Sequence, residues 1–238
     1  MKNANGAPTE DMHVHSTFSD GLGDLAANIR AAERAGLTRL GCVDHVRAST
    51  TWLPEFVAAV TAAQRSTQIE LRVGIEAKLL DQSGTLDVPM ERLGVDRIYA
   101  ADHQVPLGNS CVSPRVVRSA LASGELQGAT VIAAVIDAVL GAATRYPNVV
   151  IAHLFSVLPK CGLDEAAVSD AELARLVAGL ARAGAEVEID EQWACPNIRT
   201  AAALHAAGVR VLASSDAHKP EAIGVYDHVR NVFAALAA

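Results

Sequence analysis

Short apolar runs recur along the chain between segments whose apolar residues repeat every three or four positions. Such runs are typical of strands that are buried on both faces, and the longer repeats are typical of helices that cover them. The runs predict strands at 12–18, 37–43, 69–75, 97–101, 149–152, 185–189 and 209–213. The repeats predict helices at 25–35, 54–65, 114–124, 130–146, 170–183, 196–207 and 226–236.

The segments between these elements carry recognisable start and stop signals. Asp24, Ser113-Pro114 and the Ser169/Glu172 pair are typical of helix N-termini. Three helices end in Ala-Gly directly before a strand, which suits a short connection from helix to strand. These are Ala35-Gly36, Ala183-Gly184 and Ala207-Gly208.

Strands that alternate with helices in this way predict a parallel sheet. A closed barrel is favoured over an open sheet because chemically capable residues end nearly every strand, and the carboxyl ends of barrel strands converge on one mouth. We therefore expect an α/β fold with one barrel domain over residues 11–238, preceded by a mobile tail at residues 1–10. Residues 104–130 are the least regular part and are predicted to form a specificity lid.

Composition limits the classes of partner. The formal charge is −7, and the chain has no run of Lys and Arg, so a general affinity for nucleic acid or for anionic membrane is not expected. The longest apolar run, 131–143, is broken by Asp137 and is too short to span a bilayer. With no secretory signal, and with Cys42, Cys111, Cys161 and Cys195 widely spaced as for reduced thiols, the sequence predicts a cytoplasmic protein that binds small molecules.

The first candidate chemistry lies on the first strand. His13 and His15 are two positions apart and therefore share a face of that strand. Two imidazoles held in this way can bind one divalent ion if carboxylates and further histidines reach the same place. A lone His-x-His pair is more often structural, so the inference depends on what ends the other strands.

Residues with nitrogen or oxygen donors lie at the ends of almost all the predicted strands. Nine donors without a thiolate are too many for one four-coordinate ion and suit two or three ions of zinc, manganese or iron. Glu76 is expected to bridge them, as the only carboxylate at the end of a central strand. The candidate metal ligands are His13, His15, Asp20, His45, Glu76, His103, His153, Asp216 and His218.

Two structural interpretations stay open for parts of this set. Taken singly, His45, His103 and His153 would more often be core or surface histidines, and it is their joint placement that favours a site. Asp44 and Asp102 could each orient the histidine that follows it, although neighbours on a strand usually point apart. His205, inside a helix, and His228 are predicted to lie outside the site.

Together these motifs resemble the PHP (polymerase and histidinol phosphatase) superfamily. The resemblance runs in order from Asp11 to about Val229. It rests on His13-Val14-His15-Ser16 with Asp20, Asp44-His45, Gly74-Ile75-Glu76, Gly84-Thr85-Leu86-Asp87, His103, His153, Glu188-Ile189-Asp190 and Ser215-Asp216-Ala217-His218-Lys219-Pro220.

The resemblance implies a distorted (β/α)7 TIM-like barrel with a trinuclear metal site. It implies one ion at His13, His15, Glu76 and Asp216, a second at Glu76, His103 and His153, and a third at Asp20, His45 and His218. The sequence departs from the family pattern at 100–103 and at Asp190, which stands where an asparagine is common. Residues 104–130 match no family motif, so the substrate is left open.

The activity expected from this set is metal-dependent hydrolysis of a phosphate ester, by attack of a metal-bridging hydroxide on phosphorus. The first expectation is a phosphomonoesterase for a small phosphorylated metabolite, similar to histidinol phosphatases. Asp216 or His218 would assist the leaving alcohol through water, and Glu76 would hold the ions. Arg199 and Lys160, and then Lys78 and Lys219, are the candidate cations for the phosphate.

Three alternatives remain. A phosphodiesterase or exonuclease would act on nucleotides, but the acidic balance and the scarcity of aromatic residues, 4% of the chain, weigh against it. An amidohydrolase would usually need a bridging lysine at a central strand end, which the sequence lacks, and would leave Asp20, His45 and His218 unexplained. A metal-dependent scaffold or sensor without turnover is the third.

Overall fold

The structure is a computed structural model that describes residues 8–92 and 94–238. Its nine strands are β1 (Glu10–Val14), β2 (Arg39–Val46), β3 (Glu70–Lys78), β4 (Arg97–Ala101), β5 (Val105–Leu107), β6 (Ser110–Val112), β7 (Val149–Ala152), β8 (Glu186–Asp190) and β9 (Val211–Ser214). Its eight α-helices are α1 (Leu25–Arg34), α2 (Leu53–Ala63), α3 (Pro114–Ser123), α4 (Gly128–Arg145), α5 (Val157–Cys161), α6 (Asp170–Ala183), α7 (Ile198–Ala206) and α8 (His228–Ala235).

Seven strands form one parallel sheet in the order β1-β2-β3-β4-β7-β8-β9. The sheet curls until its first and last strands meet, where the His15 amide donates to the Ala217 carbonyl at 2.9 Å. The chain is thus a single α/β domain built on a nearly closed seven-stranded barrel, as the sequence predicted. Because the strands are parallel, their carboxyl ends face one mouth.

Local sequence explains where the helices start and stop. The Asp24, Ser113 and Ser169 side chains each accept a hydrogen bond from a backbone amide in the first turn of their helix. Gly184, at the end of α6, has φ of 66°, a left-handed conformation that glycine adopts without steric cost. These contacts confirm the predicted N-caps and the predicted end of α6.

Two elements were not predicted. Residues 104–130, expected to be irregular, contain the antiparallel hairpin β5–β6 before α3 begins at Pro114. The short helix α5 follows β7 and was also missed. The hairpin strands and α5 are too short to show a hydrophobic periodicity. The chain therefore has more regular secondary structure on either side of β7 than the sequence predicted.

The predicted tail falls mostly on residues 1–7, which lie outside the described residues. Its last residue, Glu10, is instead the first residue of β1. Glu10 pairs with Arg39 of β2, and its Oε1 accepts a hydrogen bond from the Ala213 amide of β9 at 3.3 Å. Strand structure therefore begins inside the range expected to be mobile, at the seam that closes the barrel.

Helix α4 is, within the described ranges, the one helix long and apolar enough to cross a membrane. Half of that window is buried inside the domain. Asp137, in the middle of the helix, accepts hydrogen bonds from Gln82 at 2.8 Å and from Arg175 at 2.6 Å. Partial burial of this kind is what the core helix of a barrel requires, because the helix must cover the apolar face of the sheet.

Candidate metal centre

Glu76 lies at the centre of a group of histidines at the mouth of the barrel. Its side chain is buried, with 2% of the residue exposed, and five imidazole nitrogens lie within 3.5 Å of its carboxylate. The distances are 2.8 Å to His45 Nδ1, 3.0 Å to His103 Nε2, 3.0 Å to His153 Nε2, 3.4 Å to His15 Nε2 and 3.5 Å to His13 Nε2. Glu76 was expected at such a central position, as the only carboxylate at the end of a central strand.

The first group of donors combines β1 with the segment after β9. His13 and His15 present their Nε2 atoms to the same side, and Asp216 Oδ1 lies 3.1 Å from His15 Nε2 and 3.9 Å from His13 Nε2. One donor atom from each of these three residues can be enclosed in a sphere of the size that suits a single ion, because the atoms all lie within 4.8 Å of one another. The shared face predicted for the two histidines is therefore observed.

A second group lies nearer to solvent. His15, Asp20, His45 and His218 each offer a donor atom within 4.8 Å of the others. Asp20, whose side chain is 55% exposed, lies 3.4 Å from His45 Nε2 and 3.5 Å from His218 Nε2. This group contains the three residues that the family resemblance implied for the third ion, with His15 added.

A third group consists of His45, Glu76 and His103. It differs from the implied second site, because His45 takes the place expected for His153. His153 is nevertheless adjacent, since it shares Glu76 Oε1 with His103 at 3.0 Å. All nine predicted ligands thus meet at one mouth, while His205 is exposed on α7 and His228 is engaged with the Pro196 carbonyl at 3.0 Å.

Two buried acidic side chains orient this cluster. Glu188 Oε1 lies 2.9 Å from His13 Nδ1, which holds the ring so that Nε2 faces the other donors. Asp102 lies 3.2 Å from His153 Nδ1 and accepts a hydrogen bond from Ser156 Oγ at 2.7 Å. The sequence carried a signal for Glu188, because Glu186, Glu188 and Asp190 alternate with apolar residues and so share one face of a buried strand.

Neither Asp44 nor Asp102 orients the histidine that follows it in sequence. Asp44 accepts hydrogen bonds from Ser16 Oγ at 2.6 Å and from Ser19 Oγ at 2.5 Å. Among the described residues, it forms no hydrogen bond with the His45 ring. Asp102 orients His153 and not the neighbouring His103. Adjacent residues on a strand point to opposite sides, so an orienting carboxylate has to come from another strand.

The cluster passes a test for metal binding that is independent of any relative. Among the described residues, His13 Nε2 and His15 Nδ1 are buried and lack a hydrogen-bond partner. Buried polar atoms of this kind are costly unless something binds them. Because the donors are imidazole nitrogens and carboxylate oxygens with no thiolate, they fit divalent zinc, manganese or iron.

The ionisation of His15 and Asp216 also fits metal binding. Burial lowers the pKa of His15 to about 4, so its imidazole is neutral near pH 7 and can donate a lone pair. Burial raises the pKa of Asp216, but the hydrogen bond from His15 and the charge of His13 outweigh it and bring the pKa to about 2. Asp216 is therefore a carboxylate near neutrality, which suits a ligand better than the proton donor that the sequence allowed.

The cations predicted for phosphate binding lie in different surroundings. Lys78 is the last residue of β3 and lines the same cavity as His45, Glu76 and His103. Lys160 Nζ lies 3.6 Å from the ring centre of Trp193. Lys219 is exposed after His218, whereas Arg199 is occupied by Asp170 at 2.5 Å and by the Val168 carbonyl at 2.9 Å. Arg199, which was predicted together with Lys160 as the first candidate to bind phosphate, thus already has partners in Asp170 and the Val168 carbonyl.

Trp193 and Gln192 were not predicted to belong to the site. Trp193 Nε1 donates to Asp216 Oδ2 at 3.2 Å, and Gln192 Nε2 donates to the same oxygen at 3.0 Å. The two donors hold Oδ2, so that Oδ1 faces His13 and His15. Nothing in the sequence beyond their place after β8 indicated this contact.

The comparisons with known proteins agree with this architecture. A sequence model of the PHP domain matches residues 11–175. No curated protein sequence matches the chain. The crystal structure of histidinol phosphate phosphatase from Lactococcus lactis subsp. lactis, complexed with zinc, L-histidinol and phosphate, is similar with a TM-score of 0.64 at 15% identity, over 96% of this chain and 92% of that one.

A second solved structure is less similar. It is N-isopropylammelide isopropylaminohydrolase from Burkholderia multivorans, with a TM-score of 0.46 at 19% identity, over 89% of this chain and 60% of that one. At 15% identity, the likeness to the histidinol phosphate phosphatase structure concerns the fold alone. The ligand geometry described above is a property of this chain's own side chains.

Proposed function

Because the chain belongs to the PHP domain family, we propose that it is a metal-dependent phosphoesterase, and more narrowly a phosphomonoesterase that acts on a small phosphorylated metabolite. The observation that carries the proposal is the Glu76 carboxylate, which is buried among five imidazole nitrogens that lie within 3.5 Å of its two oxygens. A carboxylate in such a place can bridge ions that bind the oxygens of a phosphoryl group.

The ions would be held by the nine ligands in two or three positions. Bound zinc, manganese or iron would lower the pKa of water to near neutrality and neutralise charge on the phosphoryl oxygens. The residues of the chain fix the donors and their protonation. Glu188 and Asp102 hold His13 and His153, and Trp193 with Gln192 holds Asp216.

Proton transfer to the leaving alcohol is proposed for His218 acting through water, in the arrangement with two ions, in which His218 does not bind an ion. The alternative donor, Asp216, has a pKa of about 2 and has no proton to give near neutrality. His218 Nδ1 lies 2.9 Å from the Asp216 carbonyl oxygen, which holds the ring and leaves Nε2 directed to the solvent side near Asp20. Lys160, beside Trp193, is the first candidate to bind the phosphoryl oxygens.

The proposal is tested with purified protein and p-nitrophenyl phosphate in the presence of added manganese or zinc. His15→Ala and Glu76→Ala should abolish turnover and lower the content of bound metal, since both remove donors at the centre of the cluster. His205→Ala, an exposed residue of α7, should do neither. Equal losses in all three variants would overturn the assignment.

The same assay addresses the finer part of the proposal. A phosphomonoesterase should release p-nitrophenol faster from the monoester than from bis-p-nitrophenyl phosphate, because a diester has one terminal oxygen and one negative charge fewer for the ions and Lys160 to bind. A preference for the diester would favour the phosphodiesterase alternative. We also propose a cytoplasmic location, for which cell fractionation is the test.

A further inference from the structure

A cavity of about 460 Å³ opens beside the metal ligands. His45, Glu76 and His103 form one part of its lining, and Arg47 and Lys78 form another. Arg47 was not among the residues that the sequence singled out. The cavity therefore joins the candidate metal centre to a pair of cations at the ends of β2 and β3.

Strand geometry fixes how the cations relate to the ligands. His45 pairs with Glu76 in the parallel register of β2 and β3. Arg47 follows the end of β2, two residues beyond His45, and Lys78 is the last residue of β3, two residues beyond Glu76. Lys78 therefore shares a side of its strand with Glu76, and Arg47 lines the same cavity. Two residues of strand span about 7 Å. Arg47 and Lys78 thus form a second row at the mouth of the barrel, further toward the carboxyl ends of the strands than His45 and Glu76.

The backbone around the two cations is held in place. The Arg47 amide donates to Thr50 Oγ1 at 2.9 Å, and the Thr50 amide donates back to the Arg47 carbonyl at 2.9 Å. The Lys78 carbonyl accepts from the Asp87 amide at 3.0 Å, and Asp87 Oδ1 accepts from the Ala48 amide at 2.8 Å. These hydrogen bonds connect the ends of β2 and β3, so the backbone that carries Arg47 and Lys78 is held in place.

The charged ends of Arg47 and Lys78 have no ion-pair or hydrogen-bond partner among the residues that the structure describes. Three carboxylates line the cavity. Asp20 and Glu76 belong to the ligand set, and Asp87 accepts a hydrogen bond from the Ala48 amide. Once ions neutralise Asp20 and Glu76, two cations face one carboxylate. That balance favours an anion in the cavity.

We infer that the substrate of the proposed phosphoesterase carries a second anionic group, a carboxylate or another phosphate, and that Arg47 and Lys78 bind it while the scissile phosphoryl group lies beside His45, Glu76 and His103. The inference rests on the proposed function. It assigns Lys78 to the leaving alcohol and not to the phosphoryl group. The separation of the two rows suits a substrate whose two anionic groups are joined by a short chain.

Three matched substrates test the inference with the metal-loaded enzyme. Propyl phosphate has no second anion, 3-(phosphonooxy)propanoate ends in a carboxylate, and propane-1,3-diyl bisphosphate ends in a second phosphate. The wild type should prefer at least one of the anionic substrates over propyl phosphate in kcat/KM by on the order of tenfold or more, because a hydrogen bond between charged groups contributes about that much. The preferred one identifies the carboxylate or the phosphate.

The variants are Arg47→Met, Lys78→Met and Arg47→Lys. Either Met variant should reduce the preference toward one, mainly through KM for the anionic substrate, while Arg47→Lys keeps part of it because the charge remains. Arg182→Met, an exposed arginine on α6, is the matched control and should keep the whole preference. Added salt should also weaken the preference, because the cations are partly exposed.

The outcomes separate this inference from the function on which it rests. Hydrolysis of all three substrates with equal kcat/KM would overturn the inference and leave the phosphoesterase intact. An equal loss for all three substrates in Arg47→Met and Lys78→Met would also overturn it, because the cations would then bind the phosphoryl group. No hydrolysis of these substrates or of p-nitrophenyl phosphate would overturn the proposed function itself.

Discussion

The replacement Glu188→Gln tests whether the orienting carboxylates matter for metal binding. Glu188 is fully buried and faces three groups, His13 Nδ1 at 2.9 Å, Ser214 Oγ at 3.0 Å and the His153 amide at 3.1 Å. Each of these groups can donate a hydrogen bond to a carboxylate, which accepts at both oxygens. Glutamine has almost the same shape but accepts at one oxygen only, so in either orientation its NH₂ group faces a donor.

The size of the effect follows from this mismatch. If the NH₂ group faces His13, the ring loses the bond that directs Nε2 to Glu76, and if it faces the His153 amide, a buried donor is left unpaired at a cost of about 1–3 kcal/mol. Replacement of a group that orients a metal ligand typically lowers metal affinity about 10–100-fold. That range corresponds to about 1.4–2.7 kcal/mol of binding free energy.

The assay is a competition titration of zinc or manganese against a chelator, combined with thermal unfolding of the metal-free protein to show that the variant folds. Glu186→Gln is the matched control. Glu186 begins the same strand, at the end opposite to the mouth, and pairs with Arg97 at 2.6 Å and Arg210 at 2.8 Å. It should leave metal affinity unchanged. The reasoning is refuted if folded Glu188→Gln binds metal as tightly as the wild type.

The barrel could be predicted from the sequence because its strands are buried on both faces and are separated by clear helix stops. Val149–Ala152 is apolar throughout, and Gly184 ends α6 in a left-handed conformation directly before β8. The hairpin β5–β6 could not be predicted, because its strands have three residues each and Pro106 interrupts the first. The five residues of α5 are likewise fewer than two helical turns.

The meeting of the nine candidate ligands at one mouth could be predicted because each lies at or after the end of a strand, and parallel strands bring their ends together whatever their separation in sequence. The residues that orient them could not be predicted by the same rule. His13 and Glu188 are 175 positions apart, and the contact depends on which strands are opposite each other across the barrel. The position after β8 gave no sign that the Trp193 indole would reach Asp216.

Two further predictions concern the surroundings of the site. Trp193→Phe keeps the ring beside Lys160 but removes the donor to Asp216 Oδ2, so kcat/KM for p-nitrophenyl phosphate should fall about fivefold, the equivalent of one hydrogen bond of about 1 kcal/mol, with no change in thermal stability beyond about 1 kcal/mol. Glu165→Gln tests the pH dependence of stability. Burial raises the pKa of Glu165 above its usual value, against hydrogen bonds from Thr200 and the Asn197 amide. The folded protein therefore keeps a proton on Glu165 at a pH where the unfolded chain has lost it, and this residue makes stability fall as pH rises through the window from about 4.3 upward. Glutamine does not ionise, so urea unfolding should show the variant gaining stability relative to the wild type as pH rises across that window. A difference that stays constant, or that shrinks with rising pH, would contradict the raised pKa, because only a carboxyl group that ionises later in the folded state gives this sign.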